Sequence, residues 1–239
     1  MERLDKYLAS RGVGTRKEVQ KLIKSGAVTA DGAVCKIIDK KIDPDTSVVL
    51  VNGEKVGEKY IYIMLNKPAG VVSATEDKRD KTVIDILPDE LKRRGLFPAG
   101  RLDKDTEGLM IITNDGELAH RMLSPKKHVE KRYVATLDGA INDEIIRRFE
   151  QGIVLPDGYK CMPAKLELMT KNDNNVGIVT ICEGKFHQVK RMFATCGLNI
   201  VHLQRISIGN LYLDSNLPIG SCKTLTNLEI LQVFIGNIH

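Results

Sequence analysis

Gly100-Arg101-Leu102-Asp103-Lys104-Asp105-Thr106-Glu107-Gly108-Leu109-Met110-Ile111-Ile112-Thr113 is the stretch on which the fold of this chain turns. Its second half, from Leu109, is a β-rich apolar run of the kind a buried strand carries. Its first half is a short charged loop with a glycine at each end. The junction places Asp103 at the rim of a sheet, where backbone can approach a ligand closely. Arg101 and Lys104 stand beside the carboxylate as cations to pair with it. Spacing alone makes Asp103 a site candidate and gives it no chemistry. A solvated turn with surface ion pairs describes the same residues equally well. A calcium loop opening on Asp103, Asp105, Glu107 and Gly108 is the other alternative. It fails at its twelfth position, where Asn114 replaces the required Glu, and at Met110-Ile111-Ile112, which belong to a strand. No metal is expected.

Outward from this stretch, strands alternate with a few helices. Strand-like runs fall at 61–65, 109–113, 131–137, 164–169, 177–182 and 201–208. Helical periodicity covers about 83–94, 116–123, 143–151 and 186–196. The class is α+β, with a mostly antiparallel mixed sheet flanked by helices and loops. The 239 residues and 26.6 kDa allow one large or two modest domains. No run approaches the roughly 18 apolar residues of a membrane span. The first residues lack the apolar core of a signal peptide. Five cysteines without a C-x-x-C pair fit reduced thiols, so a cytoplasmic protein is expected.

The net charge is +5, and its position matters more than its size. Residues 1–41 hold ten Lys/Arg against five Asp/Glu, a surplus equal to that of the whole chain. A basic head on a near-neutral body implies a polyanionic partner. In this head Leu4, Tyr7 and Leu8 make an apolar helical stripe, with Arg3 and Lys6 facing away. Thr15-Arg16-Lys17-Glu18 is a capping box opening a second helix that stops at Gly26. Lys17, Lys21 and Lys24 fall in one row, three like charges that repel by a few tenths of a kcal/mol per pair unless phosphate lies against them. Asp31-Gly32 and Asn52-Gly53 are type I′ hairpin signals. The head resembles the S4 RNA-binding domain through Arg3-Leu4-Asp5-Lys6-Tyr7-Leu8, Gly12, Thr15-Arg16, Leu22-Ile23, Gly26-Ala27-Val28 and Asp31-Gly32. The family more often has Ser-Arg at Thr15-Arg16 and Asn-Gly at Asp31-Gly32. Gly57-Glu58-Lys59 reads as the linker, giving a head of residues 1–58 and a body of 59–239.

Three body segments stand beside the Asp103 loop. Lys67-Pro68-Ala69-Gly70 ends a strand in a rigid turn. Lys131-Arg132-Tyr133-Val134-Ala135 puts a tyrosine on one strand face, a common core arrangement. Glu183-Gly184-Lys185-Phe186-His187-Gln188-Val189-Lys190-Arg191-Met192-Phe193 leads into a helix whose buried stripe is Val189, Met192, Phe193 and Cys196. Lys185, Lys190 and Arg191 crowd its beginning. The macrodipole disfavours cations there by roughly 0.3–1 kcal/mol each, so the patch suits an anion. His187 lacks a nucleophile or metal partner in the pattern, and ordering the loop by hydrogen bonding is its expected work.

Together these segments resemble the pseudouridine synthases, and within them the RsuA-type branch that joins an S4 domain to a catalytic domain. Gly100-Arg101-Leu102-Asp103, Thr106, Gly108-Leu109, Thr113-Asn114-Asp115-Gly116 and Glu183-Gly184…His187-Gln188-Val189-Lys190-Arg191-Met192 carry the likeness over essentially the whole chain. The resemblance implies that Asp103 acts at the target uridine and that Tyr133 packs on its base and handles the C5 proton. It also implies that Lys190 pairs with Asp103 and that Arg101 fills the space left by the extruded base. Arg3, Lys6, Arg16, Lys17, Lys21 and Lys24 in the head, and Lys67, Lys185, His187, Gln188 and Arg191 in the body, are expected on RNA. No cofactor is expected. The partner would be ribosomal RNA or a pre-ribosomal particle, met by a monomer. The Gln188-Val189-Lys190-Arg191-Met192 form favours 16S (small-subunit) RNA. The alternatives are a synthase for 23S RNA and a non-catalytic S4-bearing ribosome assembly factor.

Overall fold

The computed structural model describes residues 1–92, 95–124, 127–170 and 173–235. The chain divides into two compact units, residues 1–61 with 92–95, and residues 62–91 with 96–239.

The first unit contains β1 (Glu2–Arg3), α1 (Leu4–Ser10), α2 (Arg16–Ser25), β2 (Val28–Ala30), β3 (Ala33–Val34), β4 (Lys41–Ile42), β5 (Val49–Val51) and β6 (Glu54–Lys55). β1 pairs with β4, and β3-β2-β5-β6 form a four-stranded antiparallel sheet. The Thr15 hydroxyl accepts from Glu18 N–H and the Glu18 carboxylate from Thr15 N–H, so the capping box is made. Asp31 and Asn52 take positive φ (53° and 52°) in the two tight turns, as the Asx-Gly pairs require. Leu4, Leu8, Val19, Ile23 and Val28 are wholly buried in the core of this unit. Asp5 is buried too, accepting from Arg3, Arg16 and Gln20 and so tying α1 to α2. Burial raises the Asp5 pKa, but these hydrogen bonds outweigh it and bring it to about 2.

The second unit contains β7 (Tyr62–Lys67), β8 (Phe97–Pro98), β9 (Glu107–Thr113), α3 (Gly116–Leu123), β10 (Lys131–Leu137), α4 (Asp143–Gln151) and β11 (Lys165–Thr170). It continues with β12 (Asp173–Ile181), α5 (Gln188–Thr195), β13 (Ile200–Ile208), β14 (Leu211–Tyr212), β15 (Cys222–Thr224) and α6 (Asn227–Leu231). The main sheet runs β11-β12-β10-β13-β9-β7-β15, antiparallel throughout except for β13 beside β9. β7 and β9 are interior strands buried on both faces, so β7 shows no polar alternation. Gly108 makes the parallel pairing possible. Its φ is 100°, and a Cβ there would run into the Arg205 carbonyl oxygen.

Residues 83–92 are not the helix their periodicity suggests; they hold turns and one 3-10 turn, Asp89–Leu91. The Thr82 hydroxyl accepts from Ile84 and Asp85 N–H, and Asp85 accepts from Thr82 N–H. These local bonds compete with a helix, and Pro88 follows them. Residues 93 and 94, the end of that expected helix, lie outside the described residues.

Candidate active site

The loop from Gly100 to Thr106 connects β8 to β9 and is fastened from below. Ser73 Oγ donates to the Leu102 carbonyl (2.7 Å) and accepts from its N–H (3.0 Å). Gly70 N–H donates to the Lys104 carbonyl at 2.8 Å. Lys67 Nζ donates to the carbonyls of Pro68 (3.0 Å), Lys104 (3.3 Å) and Thr106 (2.9 Å). Burial lowers the Lys67 pKa to about 8, against the pull of Asp105, Glu107 and Asp103. Lys67 was expected on RNA; it is instead wholly buried, and its ammonium is spent on the backbone that presents Asp103.

The opposite wall comes from the turn before α5. Glu183 is buried and accepts from Tyr159 OH (2.7 Å), Met162 N–H (2.8 Å) and Gln188 Nε2 (2.6 Å). Gln188 Oε1 accepts from Lys185 N–H at 2.9 Å. Gln188, also expected on RNA, thus uses both halves of its amide inside the protein. α5 begins at Gln188 and not at Phe186 because His187 adopts the left-handed conformation (φ 49°). The His187 ring makes no capping bond to α5. It stacks on Phe186 with centroids 3.8 Å apart and approaches Asp103 Oδ1 at 3.4 Å.

Asp103 and Lys190 meet between these walls, Nζ to Oδ2, at 3.3 Å. Lys190 also donates to Asp105 at 2.5 Å, a bond that holds the Asp105 pKa below the usual carboxylate range. The side chains of Asp103 and Lys190 are 27% and 25% exposed, so both remain open to a ligand. Tyr133, Arg101, Thr106 and Lys185 line the same cavity of about 70 Å³. Arg101 is exposed and Tyr133 is buried against the floor. Arg191 points elsewhere, to Asp157. In the other unit Lys6, Lys17, Lys21 and Lys24 are exposed, while Arg3 and Arg16 are anchored on Asp5 and still 40% and 62% exposed. Glu107 pairs with His202, so the three acids of the loop do not converge on a common point.

Three residues of this site escape a reading of the sequence. Asp105 competes for Lys190, which only the turn closed by Thr106 N–H on the Asp103 carbonyl makes possible. Thr106 presents a buried hydroxyl with no hydrogen-bond partner. Glu183 lies within a motif already singled out, but its burial is not legible there.

Comparison with known proteins agrees with this arrangement. Residues 61–195 match the family model for RNA pseudouridylate synthase, and residues 2–48 match the S4 domain. An uncharacterised RNA pseudouridine synthase of Bacillus subtilis is 50% identical over 95% of this chain and 96% of its own length. The ribosomal small subunit pseudouridine synthase A of Vibrio parahaemolyticus is 44% identical (97% and 99% covered). The ribosomal large subunit pseudouridine synthase B of Bacillus subtilis is 38% identical (98% and 96%). A crystal structure of a pseudouridylate synthase, 36% identical, superposes with a TM-score of 0.68 over 98% of this chain and 100% of that one. The chain therefore belongs to the RNA pseudouridylate synthase family, in the RsuA-type branch that sets an S4 domain before the synthase domain.

Proposed function

We propose that this enzyme converts one uridine of small-subunit ribosomal RNA to pseudouridine, with Asp103 as the group that acts on the nucleoside. The observation that carries the reading is the meeting of Asp103 and Lys190 beside Tyr133 in a single cavity. The reaction exchanges the C1′–N1 bond for a C1′–C5 bond, while a proton leaves C5 and one arrives at N1. Atoms and oxidation state balance, so it needs an anionic group at the ribose, a face for the base and a way to handle one proton. Asp103 supplies the anion, and Lys190 holds it in place by charge and hydrogen-bond geometry. Tyr133 supplies the face and a phenol near C5. Arg101, exposed at the start of the loop, takes the space that the extruded base vacates.

The cavity is far smaller than the roughly 300–1,000 Å³ of ligand pockets, so a nucleoside enters only as the ion contacts around Asp103 give way. Extrusion of the base costs a few kcal/mol, which phosphate contacts offset. Those contacts come from a head domain of residues 1–58, through Arg3, Lys6, Arg16 and the row Lys17, Lys21, Lys24. The body, 59–239, adds Lys185. The small-subunit assignment rests on the Lys190-Arg191 pair after Val189 and on the relative from Vibrio parahaemolyticus. The large-subunit relative supports the second reading. Reaction of the purified protein with each ribosomal RNA, followed by nucleotide-resolution mapping, tests both. A product in small-subunit RNA is expected, lost in Asp103→Asn with RNA binding retained. Product in large-subunit RNA alone would overturn the choice of substrate, and turnover by Asp103→Asn would overturn the role of Asp103.

A further inference from the structure

Phe186 is the most exposed aromatic side chain among the described residues, at 72%. It sits beside the cavity, between Lys185 and His187, which both line it. Its ring lies almost parallel to that of His187, with 17° between the planes. Neighbouring residues in a strand point to opposite sides, and in a helix they diverge by about 100°. Two consecutive rings stack here because His187 takes the left-handed conformation, which a non-glycine residue adopts at a cost. The inner ring of the stack touches Asp103, and the outer ring faces solvent. Phe149 and Phe193, by contrast, pack on each other in the core. The residue before Phe186, Lys185, lies over the Tyr159 ring and pairs with no carboxylate among the described residues, whereas Lys190 is held by Asp103 and Asp105.

We propose that the Phe186–His187 stack is a binding platform for a second nucleobase, one adjoining the uridine that enters the cavity. An exposed aromatic face binds single-stranded RNA by stacking on a base, and Lys185 beside it offers one charge to the adjoining phosphate. Tyr133 lies at the cavity floor and serves the target base, so the outer ring is left for a neighbour. The platform holds the strand on one side of the extruded nucleotide and adds affinity without touching the reacting bonds. This inference rests on the reading of the chain as an enzyme acting on RNA uridine.

The chain contains no tryptophan, so Phe186→Trp creates a single fluorescent reporter at the platform. Adding the RNA substrate should quench this fluorescence and protect it from acrylamide. Phe186→Ala should raise KM for that RNA about tenfold, the effect of losing one stacked base, with kcat within twofold. Since no charge is removed, the salt dependence of binding should run parallel to that of the unsubstituted protein. Both variants should keep the native Tm, the side chain being exposed. An unchanged KM in Phe186→Ala, or a tryptophan indifferent to RNA, overturns the platform. A fall in kcat at unchanged KM overturns it as well, since Phe186 would then act through His187 on the chemistry. Failure of the unsubstituted protein to modify either ribosomal RNA is a different result, and would overturn the underlying reading of function.

Discussion

Replacing Lys67 by methionine tests whether a buried ammonium sets the position of Asp103. The side chain is wholly buried and donates to three carbonyls, two of them in the Asp103 loop. Its burial has a cost. The fall of the pKa from 10.5 to about 8 corresponds to about 3 kcal/mol at 1.36 kcal/mol per pH unit. Methionine removes that cost but leaves the Pro68 and Thr106 carbonyls unpaired, at about 1–3 kcal/mol each, while the Lys104 carbonyl keeps its bond from Gly70 N–H. The net expectation is a loss of about 1–3 kcal/mol, or roughly 2–12 °C in Tm for a unit of this size. Freed of its anchor, the loop shifts, and a displacement near 1 Å costs about 100-fold in rate. RNA affinity should stay within twofold, because Lys67 has no surface with which to touch RNA. The pH dependence provides a separate check. Unfolded lysine keeps its proton to about 10.5, while folded Lys67 releases it near 8. Between those values the unfolded state binds more protons, so raising the pH stabilises the fold. Lys131, brought to about 8 by burial, contributes a second rise of the same sign. The variant should lose the first contribution and keep the second. Turnover within a few-fold of the unsubstituted enzyme would refute the anchoring role, and a collapse of RNA affinity would show that Lys67 reaches the RNA after all.

Lys190→Met should lower kcat by about 100-fold or more while leaving the salt dependence of RNA binding nearly unchanged, as measured by single-turnover kinetics and filter binding. Substituting Lys17, Lys21 and Lys24 together by glutamine should do the reverse: the slope of log K against log salt should become shallower by about 2–3, with kcat at saturating RNA intact. Gly108→Ala drives a methyl group into the Arg205 backbone at a positive φ, so Tm should fall by at least about 5 °C in a calorimetric scan.

What could be read from the residues divides along a physical line. α3 and α4 fall at the ranges their periodicity suggests, because Asp115 and Asn142 cap them and their apolar stripes are continuous. The capping box and both Asx-Gly turns of the head are likewise local signals with local causes. Pairings decided by distant partners were not legible. In sequence Lys67 is an ordinary lysine before a proline turn; only the carbonyls of Lys104 and Thr106 make it an internal anchor. Residues 83–92 carry helical periodicity, but hydrogen bonds around Thr82 and Asp85 take the backbone first. The start of α5 slips by two residues because His187 takes the left-handed conformation, which helical periodicity does not register. For Asp103, spacing offered Arg101 and Lys104 as cationic neighbours and did not point to Lys190. The family resemblance joined Asp103 and Lys190, and the fold places them in contact.

The charges around the cavity clarify how the work is divided. Lys190 is shared by Asp103 and Asp105, Arg191 is taken by Asp157, and Lys104 by Asp80. Counting cations in the sequence therefore overstates what this wall offers to phosphate, because several are already neutralised by carboxylates of the same unit. Lys17, Lys21 and Lys24 differ: they stand on one exposed helix face with a single acid, Glu18, in the same stretch, and Glu18 is engaged in the capping box. On the proposed function, sequence-independent attraction to RNA rests mainly on these three lysines of the head. At the cavity the paired ions do something else. They hold Asp103 in orientation and, on the proposed function, are partly exchanged for contacts with the nucleoside as it enters. A uridine that cannot leave its stack cannot drive that exchange, so the same ion pairs that position the carboxylate also favour RNA segments whose bases are easily extruded.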